Sequence, residues 1–526
     1  MTLTYIDFFC GAGGSSAGAE RVPGVKAALA ANHWDKAIAS HSANFPDADH
    51  FLGDLHDADV AKFPAADLFW ASPECPKWST ARGVKRDFDK QPDLFGETLP
   101  DAATDRSRAL MWDVPRYLEA MAARGKPVLA GVVENVIDVR AWDLWTRWVQ
   151  DIRDLGYATR LIALNSMHAR PAVTPVAPQS RDRLYLAYWL RELGRTPDWD
   201  KWLRPRAWCT GCQEWVRAVQ AFKRPGADMG RYRQQYAYRC PHVTCRNQVV
   251  EPPVVPAASI IDWSLPGQRV GGRTKPLADK TLARIEAGLR RYAGADGTPP
   301  FLVPLRSGRN RSLLAGRDPL ATVVADGGNH GLTTAATAPG ALLVPTEGRD
   351  GKSATAAIEP LRTQTARNET GLAWLPFIAE LRGGSSDARP VLDALATVTA
   401  SGNHHGLALP AAAPVDWSAL LTPYYGKGTA RPVAEPVGTM TTRDCYALAT
   451  GRNSGVVEVD DVLFRMLEPH EIGAAMTFLP DYVVVGNKRE KVRQFGNAVT
   501  SNVAEVLVSA LVEAVTGQEL ATGWAA

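Results

Sequence analysis

Long apolar runs are missing from this 526-residue chain: no stretch of 18 or more consecutive apolar residues occurs in it. That excludes the simplest kind of membrane-spanning helix. The opening, MTLTYIDFF, passes straight into a strand pattern, so no signal peptide is expected. Net charge is also nearly absent, since 59 Lys and Arg against 56 Asp and Glu leave only +3. A uniformly polycationic binder is therefore excluded, and only the local distribution of charge is informative. Cysteine is scarce as well. The seven are odd in number, and four of them are clustered, which does not fit the disulfide framework of a secreted domain. A reducing, cytoplasmic setting in a bacterial or phage-infected cell is expected, with no membrane partner.

What is present is ordinary globular composition, 45% hydrophobic and 22% charged, in a chain long enough for two to four units. The first 200 residues alternate short apolar runs (5–10, 66–71, 128–134, 184–189) with helical patterns such as 15–31 and 141–155. This is the rhythm of a doubly wound α/β sheet. Residues 201–256 break it. The stretch 201–250 holds ten Lys and Arg against two acids, Glu214 and Asp228, and EPPVVP follows as a linker. Such an excess suits a phosphate-facing surface. Residues 257–300 read as a linker with helical character. Residues 301–455 carry an internal repeat, in which the acids Asp318, Glu359, Asp393 and Glu435 each precede an apolar residue by two and a threonine by four. Dense Gly, Asn and Thr there predict short strands and exposed turns, and four units are too few for a large propeller. Residues 456–526 return to α/β character, with a helix expected over 501–516.

Several blocks carry chemistry. DFFCGAGGSSAG (7–18) is a strand followed by a glycine-rich turn, a backbone that a ligand can approach closely. NHWD (32–35) and GDLHD (53–57) fall where two further strands end, and together they outline an adenosine-type pocket with Phe9 and Trp34 as stacking walls. SPECP (72–76) sets Cys75 between constraining prolines after a fourth strand. A lone cysteine there is more often a buried structural thiol, but VVENV (132–136), PQSRDR (178–183) and RQFGNAV (493–499) add Glu134, Arg181, Arg183 and Asn497 at similar strand ends or turns.

These blocks, in this order over roughly 1–190 and 456–526, resemble the DNA (cytosine-5-)methyltransferase family. The Ser-Pro-Glu-Cys block resembles its phage and prophage variants. The resemblance implies a doubly wound, Rossmann-like methyltransferase domain that uses S-adenosyl-L-methionine, held by Phe9, Gly11, Gly13, Trp34, Asp54 and Asn497. It implies Cys75 as nucleophile toward carbon 6 of a flipped cytosine, Glu134 at the ring nitrogen and amine, and Arg181 and Arg183 supporting the reacting groups. Double-stranded DNA is the expected partner, with a cognate restriction endonuclease in prospect, and the repeats fall where that family keeps its target-recognition domain. The chain departs from the family at Glu74-Cys75-Pro76, where Pro-Cys-Gln is common, and at His33, where many members carry an acid. Methylation of RNA, transfer of another group to DNA, and a silent DNA-binding relic are the competing readings.

Independently of any resemblance, Cys209-x-x-Cys212 and Cys240-x-x-x-x-Cys245 suit one tetrahedral zinc site, with His242 as an alternative to Cys245. An insert this polar is expected to lack a core of its own and to depend on the metal.

Overall fold

The computed structural model describes residues 2–73, 102–255, portions of 257–282, short strands between 301 and 450, and 460–523 apart from 461 and 467. Seven strands form one mixed sheet: β1 (Leu3–Phe8), β2 (Val25–Asn32), β3 (Asp49–Leu52), β4 (Leu68–Ala71), β5 (Ala130–Asn135), β6 (Tyr157–Asn165) and β7 (Asp182–Leu190), in the order 3-2-1-4-5-7-6. The first five run parallel, and β7 lies antiparallel to both β5 and β6. Strands β4 and β5 are buried throughout, as expected where helices cover both faces of a parallel sheet.

Alternation along the strands sorts the core into two layers. Ile6, Phe8, Phe69 and Val133 face one side, where they meet Met111 and Tyr117 of α3 (Ala102–Ala123) and Trp148 of α4 (Trp145–Asp154). Leu3, Tyr5, Trp70 and Val132 face the other, against Val503, Leu507 and Leu511. Those three residues belong to the helix Ser501–Thr516, whose bounds agree with the sequence expectation. By composition, Lys488–Thr516 is apolar enough to pass for a membrane span, but its most apolar window is 94% buried inside the protein. It is a core element.

One expected helix is not there. Instead of a helix over 15–31, the chain forms a short α1 (Gly14–Ala19) and then β2. The helix stops at Ala19, Pro23 and Gly24 intervene, and Gly24 at φ 81° turns the chain back into the sheet. The alanine-rich VKAALAAN then becomes a strand because burial between β1 and β3 overrides its helical propensity.

The insert consists of two antiparallel hairpins, β8 (Arg206–Cys209) with β9 (Glu214–Arg217), and β10 (Val219–Phe222) with β11 (Tyr236–Arg239). Contrary to expectation, it has a core. Ala207, Val216, Tyr232, Tyr236, Tyr238 and Val250 are buried with Cys209 and Cys240, continuous with Ala163 and Met167 of the α/β body. Phenol rings and small side chains fill it, which a hydropathy reading of so basic a stretch misses. Polar contacts fasten it down: Gln220 Nε2 donates to Ala163 O at 2.8 Å, Tyr232 N to Asp182 Oδ1 at 3.0 Å, and Arg231 pairs with Asp138 at 2.6 Å.

The repeat has a structural counterpart. Four strands, Phe301–Pro304, Leu342–Pro345, Phe377–Glu380 and Ala419–Pro423, each pair antiparallel with a two-residue strand. All four also pair antiparallel with a later strand, His330–Thr333, Thr370–Ala373, His405–Pro410 and Tyr446–Thr450 respectively. The repeat unit is thus longer than the acid-led motif alone, beginning one strand earlier.

Candidate active site

Among the described residues, Phe9, Gly11, Gly13, Trp34, Asp54 and Glu134 follow or end strands at one edge of the sheet, the carboxyl ends of the parallel strands. Beyond β1 the backbone enters the left-handed region at Phe9 (φ 61°), Gly11 (φ 54°) and Gly13 (φ 86°). For Phe9 this is an uncommon conformation, of the sort held in place only by its surroundings. The three glycines that follow do different jobs. A side chain at Gly11 would meet open space, so this is where the backbone faces the cleft. A Cβ at Gly13 would overlap the Tyr482 hydroxyl, and one at Gly14 the carbonyl of Val499. Much of the glycine pattern therefore serves contact with the C-terminal segment, which the sequence assigned to ligand approach.

That segment contributes α6 (Pro469–Ala475), α7 (Lys488–Asn497) and, following them, α8 (Ser501–Thr516), once α5 (Trp199–Leu203) is counted. The Tyr482 hydroxyl donates to Ala12 O at 2.6 Å, and Ser40 Oγ to Gln494 Oε1 at 2.6 Å. Behind the loop, the Asp7 carboxylate is buried and accepts from the hydroxyls of Ser15 and Ser16. Burial pushes its pKa up to about 7 against those stabilising hydrogen bonds. Ser16 continues the network to His41 at 2.9 Å, and burial pushes that ring down to about 3, which keeps it neutral.

At the end of β2, Asn32 Oδ1 accepts from Trp34 N at 2.9 Å, just before α2 (Asp35–Asn44). The Arg493 guanidinium stands 4.5 Å from the centre of the Trp34 ring. One face of that indole is therefore taken by a cation and the other is the face a purine could use. Nothing in the sequence pointed to Arg493, because the contact joins positions far apart in the chain. His33 is exposed, and Asp54 Oδ1 accepts from His56 N at 3.1 Å after β3. Asn497 is exposed at the end of α7.

Glu134, at the end of β5, is mostly buried, and Arg183 Nε reaches its Oε1 at 3.0 Å. The two partners arrive from adjacent antiparallel strands, in which Glu134 pairs with Tyr185. Arg181 makes contacts with the C-terminal segment. It precedes β7, so strand alternation does not place it, and its buried guanidinium donates to the carbonyls of Gly496 (3.4 Å) and Ala498 (3.0 Å). It ties the Gly-Asn turn to the sheet. Asn135, which the sequence reading passed over, has its Nδ2 3.4 Å from Pro73 O, at the start of the turn that leads to Cys75. Cys75 and the basic loop after it lie outside the described residues.

The four clustered cysteines converge: all four sulfurs lie within 4.8 Å of one another, with Cys209 to Cys245 and Cys212 to Cys240 both at 3.8 Å. Four sulfurs about 2.3 Å from a zinc ion at the corners of a tetrahedron are about 3.8 Å apart. Left-handed residues follow each pair, Gln213 (φ 57°) and Arg246 (φ 57°), so the backbone curls around the cluster. His242 Nδ1 lies instead at 2.9 Å from Glu214, which leaves Cys245 in the fourth position.

Comparison with known proteins agrees with the geometry of the first domain. Residues 3–197 match the family described as C-5 cytosine-specific DNA methylase. Among solved structures, the chain is similar to Spodoptera frugiperda DNMT2 (11% identity, 97% of this chain and 100% of that one, TM-score 0.44). It is also similar to the Entamoeba histolytica methyltransferase EhMeth (10%, 98% and 98%, 0.42) and to a putative DNA modification methyltransferase encoded within an E. coli prophage (13%, 97% and 99%, 0.39). No curated protein matches.

Proposed function

We propose that this methylase transfers a methyl group to carbon 5 of cytosine in double-stranded DNA, with S-adenosyl-L-methionine as donor and a structural zinc ion in the insert. The observation that carries the reading is the Glu134–Arg183 pair on the same sheet edge as the glycine-rich loop. S-adenosyl-L-methionine supplies an electrophilic methyl group. Gly11, Gly13, Phe9, Trp34 and Asp54 line its place, and the open space at Gly11 fits a ligand approaching the backbone. Asn497 borders the same edge.

The Cys75 thiolate attacks carbon 6 of the extruded base, and the ring's electron pair moves toward carbon 5. Glu134 holds the ring nitrogen and exocyclic amine as charge develops. Arg183 orients that carboxylate, and Arg181 acts as a positioning residue through the turn it holds. Transfer would leave S-adenosylhomocysteine, after which a solvent base takes the carbon-5 proton and the Cys75–carbon 6 bond breaks to expel the thiolate. Cys209, Cys212, Cys240 and Cys245 hold the zinc. The repeats between 301 and 455 read the target, and a partner nuclease accords with a prophage-type enzyme.

The test is nucleoside mass spectrometry after incubation with unmodified duplex DNA and, in parallel, RNA. 5-Methylcytosine in DNA, lost in Cys75→Ser, and covalent trapping on a 5-fluorocytosine duplex are the expected results. Methylation of RNA alone, a different modified base, or an active serine variant would each overturn it.

A further inference from the structure

The hairpin that carries the first two cysteines has an outer face with a regular pattern. Ladder pairing sets Arg206 opposite Arg217 and Trp208 opposite Trp215, with Ala207 opposite Val216 between them. Successive side chains of a strand point to opposite faces. Ala207 and Val216 are buried in the insert's core, so the two arginines and two tryptophans share the outward face. Their contacts agree: the indoles meet edge to face at 6.0 Å, and the Arg206 guanidinium lies 5.9 Å from the Trp215 ring.

The tryptophans are 45% and 51% exposed, among the few large apolar side chains left in water on the described residues. Two adjacent half-exposed indoles on a hydrogen-bonded ribbon mark a contact surface. Charge indicates what covers it. The nearby bases Lys201 and Arg204 are engaged by carboxylates (Glu513 and Glu519, and Asp200), whereas Arg217 bonds only a carbonyl, that of Lys201, and no carboxylate pairs with it among the described residues. Over 201–250 the excess is ten bases to two acids. An anionic partner that also offers flat π-faces meets both requirements.

We propose that the Arg206, Trp208, Trp215 and Arg217 face binds an unpaired nucleic-acid strand, with indoles stacked on bases and guanidinium groups at phosphates. A duplex hides the faces of its bases and exposes only their edges, so stacking selects unpaired nucleotides. This rests on the reading of the protein as a DNA methylase and adds a second, non-catalytic contact to it.

The experiment is fluorescence anisotropy of the full zinc-loaded chain on labelled single-stranded and duplex oligonucleotides at several salt concentrations, with methylation of duplex DNA measured alongside. Trp208→Ala/Trp215→Ala should weaken single-strand binding about ten-fold or more with an unchanged salt slope, and Trp208→Phe/Trp215→Phe should restore most of it. Arg206→Gln/Arg217→Gln should flatten the log–log salt slope by about 1.4, two phosphate contacts at about 0.7 each. Zinc content of the variants reports whether the insert stays folded. Unchanged single-strand affinity in both variants, with normal methylation, overturns the surface and leaves the methylase reading intact. So does a wild-type dimer in sedimentation that the alanine variant dissociates, since the face would then be a self-interface. A wild type that neither binds nor methylates DNA overturns the methylase reading itself.

Discussion

In the α/β body, Phe8, Phe69 and Trp148 pack one face of the sheet while Tyr5, Trp70 and Leu507 pack the other, and nearly every central side chain is closed off from water. In the insert, three tyrosines, a few small residues and two cysteines make a smaller core, and Cys212, in the β8–β9 turn, and Cys245, in the turn after β11, remain partly exposed. The body is held by burial, at about 25 cal/mol per Å² of apolar surface. The insert has this smaller core, beside which its four sulfurs converge. The two regions should therefore fail under different insults.

The largest expected effect separates them directly. Structural zinc contributes on the order of 10–16 kcal/mol in small zinc modules, more than a small core of this kind supplies. Chelation or Cys240→Ser should release about one metal per chain and open 201–250 to limited proteolysis, while the body keeps its thermal transition. Because Arg231 and Tyr232 of the insert hold Asp138 and Asp182 beside the Glu134–Arg183 pair, turnover should fall as well. A protease-resistant insert in the metal-free protein would erase the contrast.

Next in size is a change confined to chemistry. Glu134→Gln should lower turnover by about 100- to 10,000-fold with the melting temperature of both regions nearly unmoved. An active variant would show that the Glu134–Arg183 pair is merely an ion pair.

A smaller effect sharpens the body's own architecture. Gly14→Ala should destabilise the body by about 1–3 kcal/mol, the usual cost of overpacking, since its Cβ would overlap the Val499 carbonyl. Gly11→Ala should cost only about 1–2 kcal/mol for its left-handed backbone and act chiefly on affinity for the methyl donor. Calorimetry with and without S-adenosylhomocysteine distinguishes the two, and equal behaviour would argue against the division of labour among these glycines.

The last effect is on pH dependence. Burial raises the Asp7 acid to about 7 in the folded chain, from 3.8 in its ordinary state. Its contribution to stability is thus complete below about pH 4 and is lost as pH rises through 7. Asp7→Asn should flatten the melting-temperature profile between pH 4 and 8. A wild-type profile with the same slope as the variant would mean that Asp7 is ionised in the fold.

Local pattern alone identified the strands ending at Phe8, Ala71 and Asn135, the helix Ser501–Thr516, the glycine turn and the paired cysteines. These signals depend on side-chain period, on backbone sterics at glycine and proline, and on donor type at short spacing, all of which act between near neighbours. Chain folding across hundreds of residues decided the rest. Gly14 must be small because of Val499, Arg181 is drawn to Gly496 and Ala498, Arg493 covers Trp34, and the 15–31 segment yields its latter half to a strand. No periodicity encodes such contacts, because close packing and the need to satisfy buried polar groups arise only once the distant segments meet.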